Sequence, residues 1–110
     1  MSTEQASRRV RACSVDDVEI GRTLKFETGE TVICIVHCED GFHAVADQCS
    51  HEDYSLSEGD VDSAQCEIEC WKHGSLFSLT TGEPLTLPAT LPIEVYPTEV
   101  EGNDVFVILP

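Results

Sequence analysis

Positive charge is scarce in this sequence: six Lys and Arg stand against 21 Asp and Glu, a formal net charge of −15. A surface of that sign repels phosphate backbones and anionic lipid headgroups, which argues against nucleic acid and membranes as partners. A protein partner with a basic docking face suits it better, although acidity also serves solubility. Long apolar runs are missing as well. The N-terminus MSTEQASRRV lacks the apolar core of a signal peptide, and the longest aliphatic stretch, residues 32–36, is far too short to cross a bilayer. The expectation is a soluble, cytoplasmic monomer.

Helical periodicity is also absent. No stretch combines a sustained 3.6-residue period with caps, and residues 16–21 can form a helical turn at most. What remains is short strands between turn signals. Strands are predicted over 10–15, 24–27, 31–38, 42–47, 93–100 and 105–109, with a further pair within 59–69. Asp40-Gly41 and Gly102-Asn103 supply hairpin signals. The fold class is all-β, a sandwich or a small barrel-like stack of sheets. The 110 residues fit one domain, 1–110, with a real but small core, so a bound metal centre can supply part of the stability.

Six cysteines are present. Disulfides are rare in a reducing cytosol. Cys34 and Cys38 are four apart in a predicted strand, as are Cys66 and Cys70, which sets their Cα atoms about 13 Å apart. A disulfide tolerates about 7 Å. Within 65–70, Cys66, Ile68 and Cys70 share one face and Gln65, Glu67 and Glu69 the other. Cys13, Cys34, Cys38 and Cys66 therefore read as small core hydrophobes. His37 and His43 read as polar residues on half-exposed strand faces.

Two polar loops, about 48–56 and 70–77, depart from the strand pattern. The first contains Cys49-Ser50-His51; after an 18-residue spacer the second contains Cys70-Trp71-Lys72-His73-Gly74. Two Cys and two His can bind zinc or an iron–sulfur cluster. A common zinc finger pairs its cysteines and its histidines separately. Here each loop supplies one of each, which suits a two-metal centre: each loop gives its thiolate to one iron and its imidazole to the other.

This pattern resembles the Rieske family, with its Cys-x-His, spacer and Cys-x-x-His. Ser55-Leu56-Ser57-Glu58-Gly59 and His73-Gly74-Ser75-Leu76-Phe77 resemble the flanks of its cluster loops, and Thr81-Gly82-Glu83-Pro84 and Leu87-Pro88-Ala89 its following turn and proline loop. The resemblance covers nearly the whole chain. It implies stacked antiparallel sheets with a two-loop cluster-binding subdomain, and one [2Fe–2S] cluster on Cys49, His51, Cys70 and His73. In such a centre two His replace two Cys on one iron, which raises the potential from about −400 mV in plant-type ferredoxins to roughly −150 to +300 mV.

Subtype follows from the same comparison. Rieske proteins of respiratory complexes carry an extra, disulfide-forming Cys in each loop; the matching positions here are Tyr54 and Lys72. No mononuclear-iron domain like that of oxygenase large subunits is expected, so the resemblance is to the small Rieske-type ferredoxins. These carry electrons from a flavoprotein reductase to a terminal oxygenase and perform no bond chemistry themselves. Ser75 matches a serine that donates to a cluster sulfur in high-potential members, whereas Phe77 stands where a second donor, a tyrosine, is often found. With Glu52, Asp53, Glu58 and Glu69 nearby in sequence, the potential is expected toward the low end of the range. Tyr54, Leu56, Trp71 and Pro88 are expected to form an apolar docking collar, or to shield the cluster. Trp71 and Lys72 stand where many dioxygenase ferredoxins have Pro and Leu. That departure keeps open a second role, as an electron donor or interaction subunit beside iron–sulfur assembly proteins. A pH- or redox-sensing module is a third, weaker alternative.

Overall fold

The structure is a computed structural model, and it describes residues 8–29, 31–48, 55–71, 74–87 and 91–109. Among these residues ten strands follow one another: β1 (Arg8–Ser14), β2 (Thr23–Thr28), β3 (Thr31–Cys38), β4 (Gly41–Ala46), β5 (Asp60–Asp62), β6 (Glu67–Glu69), β7 (Leu76–Ser78), β8 (Val95–Tyr96), β9 (Thr98–Glu101) and β10 (Asp104–Leu109). Short 3-10 turns lie at Val15–Asp17 and Leu56–Glu58.

The run TVICIVHC sets the centre of the fold. Alternate side chains of a strand point to opposite faces, and both sets here are mostly apolar, the mark of a strand covered on both sides. On β3, Ile33 and Ile35 join Cys13, Val105, Val107 and Leu109 in one core. Cys34, Val36 and Cys38 face the other way, toward Leu56, Ile68, Phe77 and Leu79. Three antiparallel sheets result. The central one has the order β2-β3-β4-β8; β1-β10-β9 covers one face and β5-β6-β7 the other.

The outer sheet β1-β10-β9 is laced by exposed pairs: Arg9 with Glu99 (2.9 Å) and Glu101, and Arg11 with Asp104 (2.8 Å). Screening makes such pairs weak contributors to stability. They do engage Arg9 and Arg11, two of the six basic side chains, far along the chain from the cysteine-bearing loops.

Several sequence expectations shift. The strand expected over 93–100 is split: β8 pairs with β4 in the central sheet, while β9 pairs with β10 in the outer one. Pro97 stands at the break because it has no N–H to donate to a ladder; its carbonyl still accepts from the Ile108 amide (2.9 Å). Strand β7 was not among the predicted strands. It is three residues long and is held by its ladder to β6, Glu67↔Ser78 to Glu69↔Leu76. Cys66 lies in a turn, not a strand, with φ +59, the one left-handed non-glycine among the described residues. That conformation costs a β-carbon residue about 1–2 kcal/mol.

Candidate metal centre

The first motif-bearing loop runs from the end of β4 to the 3-10 turn before β5, and the second from the end of β6 to β7; the pairing of Asp60 with Glu69 brings their bases together. Cys49, His51, Tyr54, His73 and Pro88 lie outside the described residues, so what the structure describes is the platform beneath them, together with Cys70.

Each loop is closed at its base by the chemistry of its flanks. The first leaves after Asp47 and Gln48, and a β-bridge between Gln48 and Ser55 brings its ends together. Asp47 is a carboxylate only 4% exposed. Such a group must be hydrogen-bonded to be tolerated. It accepts from the Ser57 amide (2.9 Å) and from the Ser55 hydroxyl, and its own carbonyl accepts from the Leu56 amide (2.5 Å). Lys25 Nζ stands 4.0 Å away. One acidic side chain thus clamps the far side of the loop to the end of the central sheet.

The second loop is a tight turn. The Cys70 amide donates to the Ser75 carbonyl (2.8 Å), and the Gly74 amide donates to the Cys70 carbonyl (2.9 Å). Gly74 takes φ +76, which a glycine adopts without a steric penalty. Gly59 matters for a different reason: a Cβ there would lie 1.8 Å from the Glu69 carbonyl oxygen. The chain returning from the first loop therefore passes directly over the residue that precedes Cys70. Only a missing side chain permits that approach, which ties the two loop bases together.

Of the sequence-designated residues that are described, Cys70 is buried (1% exposed), as are Ser75 and Phe77. Phe77 packs in the core beneath the small sheet. The donor chemistry fits a [2Fe–2S] group: a dry cysteine at a strand end, on a loop cinched to its neighbour. Trp71 is 49% exposed. Leu56 corrects the expectation, because its side chain is fully buried and cannot belong to a docking collar. The 3-10 turn at Leu56–Glu58 points it into the core shared with Val36, Ile68 and Phe77, a direction that the polar segment SLSEG does not betray. Exposed apolar side chains follow later instead, at Leu85, Leu87 and Leu91.

A second group of potential ligands lies apart from this one. Cys38, Asp40, His43 and Cys66 bring one ligand atom each within 4.8 Å of one another. The sequence pattern places Cys38 and Cys66 in the core and His43 on a strand face. Both cysteines are indeed buried core residues, and they also face each other within reach of Asp40 and His43. Cys38-x-Asp40-x-x-His43 around a hairpin turn was the available signal. Cys66, the fourth member, arrives only through the tertiary fold. Burial pushes the thiols of Cys13, Cys34, Cys38 and Cys66 above the ordinary cysteine range, which makes each of them a poor nucleophile. His43 Nε2 lies 2.9 Å from Asp40 Oδ1, and that hydrogen bond lowers the Asp40 pKa.

Comparison with known proteins gives concordant results. Residues 8–97 match the family described as the Rieske [2Fe-2S] domain. A ferredoxin subunit of 3-phenylpropionate/cinnamic acid dioxygenase from Escherichia coli (strain K12) is 42% identical over 102 residues, covering 93% of this chain and 94% of that protein. The ferredoxin of carbazole 1,9a-dioxygenase from Nocardioides aromaticivorans IC177 superposes with a TM-score of 0.86 at 30% identity, over 90% of this chain and 95% of its own. A chain in the complex of reduced oxygenase and oxidised ferredoxin of carbazole 1,9a-dioxygenase superposes at 0.82 with 33% identity, over 89% of this chain and 99% of its own. Among the described residues no helix is long and apolar enough to cross a membrane.

Proposed function

We propose that this chain, which belongs to the Rieske [2Fe–2S] domain family, carries single electrons from a nicotinamide-linked flavoprotein reductase to a terminal non-haem iron oxygenase. The family's cofactor is a [2Fe–2S] cluster, which supplies reversible one-electron storage when bound. The observation that carries the proposal is the near full-length likeness to a ferredoxin subunit of a dioxygenase system. A structural neighbour from a complex with reduced oxygenase supports the delivery half of the cycle.

In this reading Cys49 and Cys70 hold one iron, and His51 and His73 hold the other. Cys70 contributes its thiolate from a buried strand end, where water is kept from the sulfur. The closed turn from Cys70 to Ser75 orients its loop, and Asp47 orients the other. The imidazoles of His51 and His73 would hold the second iron and offer the electron a way out to the partner. Ser75 lies buried on the second loop's closing turn, and the exposed Trp71 offers apolar contact to the oxygenase. The strongly acidic remainder of the surface draws in a basic docking face and speeds encounter at low salt.

The test is anaerobic stopped-flow mixing of the reduced holoprotein with an oxidised Rieske-type oxygenase. Transfer of one electron per chain, slowed as ionic strength rises, is the expected result. Failure to pass an electron to any oxygenase, with reduction by a flavoprotein reductase intact, would remove the delivery half of the proposal.

A further inference from the structure

We propose that Cys38, Asp40, His43 and Cys66 form a second metal site, a mononuclear tetrahedral site for zinc, at the end of the small sheet away from the cluster loops.

Topology brings the four residues together. Cys38 ends β3 and pairs with Gly41 at the start of β4, so Glu39 and Asp40 form the two-residue turn between them. His43 follows on β4, with its side chain 18% exposed. The turn between β5 and β6 lies against this hairpin, where the Glu39 amide donates to the Ser63 carbonyl (3.1 Å). That turn is itself pinned, since the Gln65 amide donates to Asp62 Oδ1 (3.0 Å) and the Leu79 amide to the Cys66 carbonyl (2.9 Å). Cys66 sits at its end in the left-handed region, which favours glycine. A cysteine there is a costly choice for mere core filling.

The chemistry of the set is that of a zinc site. Two thiols, an imidazole and a carboxylate are the ligand types zinc takes, at about 2.3 Å for sulfur and about 2.0–2.2 Å for nitrogen and oxygen. A tetrahedron of those bond lengths separates ligand atoms by roughly 3.3–3.8 Å. The four atoms already lie within 4.8 Å of one another, so side-chain rotation can close the set. Asp40 and His43, now hydrogen-bonded to each other, would each turn a lone pair to the ion. The two thiols would release their protons to solvent on binding.

Both thiols are buried and face each other within the same small volume as the imidazole and the carboxylate. Bound zinc would staple the β3–β4 hairpin to the turn before β6. Cys66 and Cys70 bracket β6 (Glu67–Glu69), about 13 Å apart at the usual rise per residue. The site is therefore distinct from the cluster.

The test uses the holoprotein, prepared anaerobically, equilibrated with zinc chloride and desalted, with iron and zinc counted by elemental mass spectrometry. The expected result is two irons and one zinc per chain. His43→Ala and Cys66→Ser should each weaken zinc retention by at least about tenfold while keeping both irons and the cluster's visible spectrum. Asp40→Asn, at an exposed position, keeps the test decisive if Cys66→Ser does not fold. Zinc no higher than in a buffer control would overturn the proposal. So would wild-type zinc retention in the His43 and Asp40 variants, or zinc gained only as iron is lost.

Discussion

Strand β6 is bracketed by a cysteine at each end, and the two ends are built for different work. At the Cys70 end the candidate ligands ride on loops whose bases are cinched by hydrogen bonds from Asp47 and from the Cys70–Ser75 turn. At the Cys66 end the candidate ligands come directly from strand ends and two-sided turns, with no loop between scaffold and donor. A redox centre needs ligands carried outward, so that an electron can leave through an imidazole edge. A structural ion needs only to be enclosed. The same small sheet serves both because its core, Cys34, Val36, Ile68 and Phe77, is shared along its length.

Removing Cys70 separates the two ends most sharply. Cys70→Ser should abolish cluster binding, with loss of the visible chromophore and of nearly all iron, whereas Cys66→Ser should retain both irons. Equal iron loss in the two variants would merge the ends into one site. Next in size is Gly59→Ala. Its Cβ meets a carbonyl oxygen that can yield only if the backbone moves, so the expected destabilisation is about 3 kcal/mol. In a domain of this size that corresponds to a Tm lower by roughly 10–20 °C, read by thermal melting of the holoprotein. Gly102→Ala has open space around it and strains only φ, so about 1 kcal/mol is expected there.

Asp47→Ala should cost about 1–3 kcal/mol by orphaning buried donors. It should also speed iron release to a chelator, an effect that a substitution at the Cys66 end would not share. A smaller effect is expected at the surface. Trp71→Ala should leave the spectra unchanged and weaken transfer to the oxygenase by about tenfold, the loss of one aromatic contact. The reduction potential, measured by titration near neutral pH, should fall toward the low end of the family's range of roughly −150 to +300 mV. A value well above zero would mean that donors to the sulfurs outweigh the surrounding acidic charge.

Much of the fold is legible in the sequence. The strand expected over 31–38 is β3, Thr31–Cys38. The alternation of Cys66, Ile68 and Cys70 against Glu67 and Glu69 predicts which side chains are buried. Illegible features share one cause: they depend on partners distant in sequence. β7 exists because of its pairing with β6. Leu56 is buried because a 3-10 turn aims it into a core built by other segments. Cys66 meets Cys38 only because two turns are tied together. The split at Pro97 was open to a stricter reading, since a proline in a predicted central strand argues for a break.

The assignment of Cys49, His51, Cys70 and His73 as the cluster ligands is tested most directly by pulsed electron paramagnetic resonance of the reduced holoprotein. Two coordinated nitrogens should couple to the unpaired electron spin, and His73→Cys should leave one if the cluster survives. A reduced cluster showing no directly bound nitrogen would contradict the assignment.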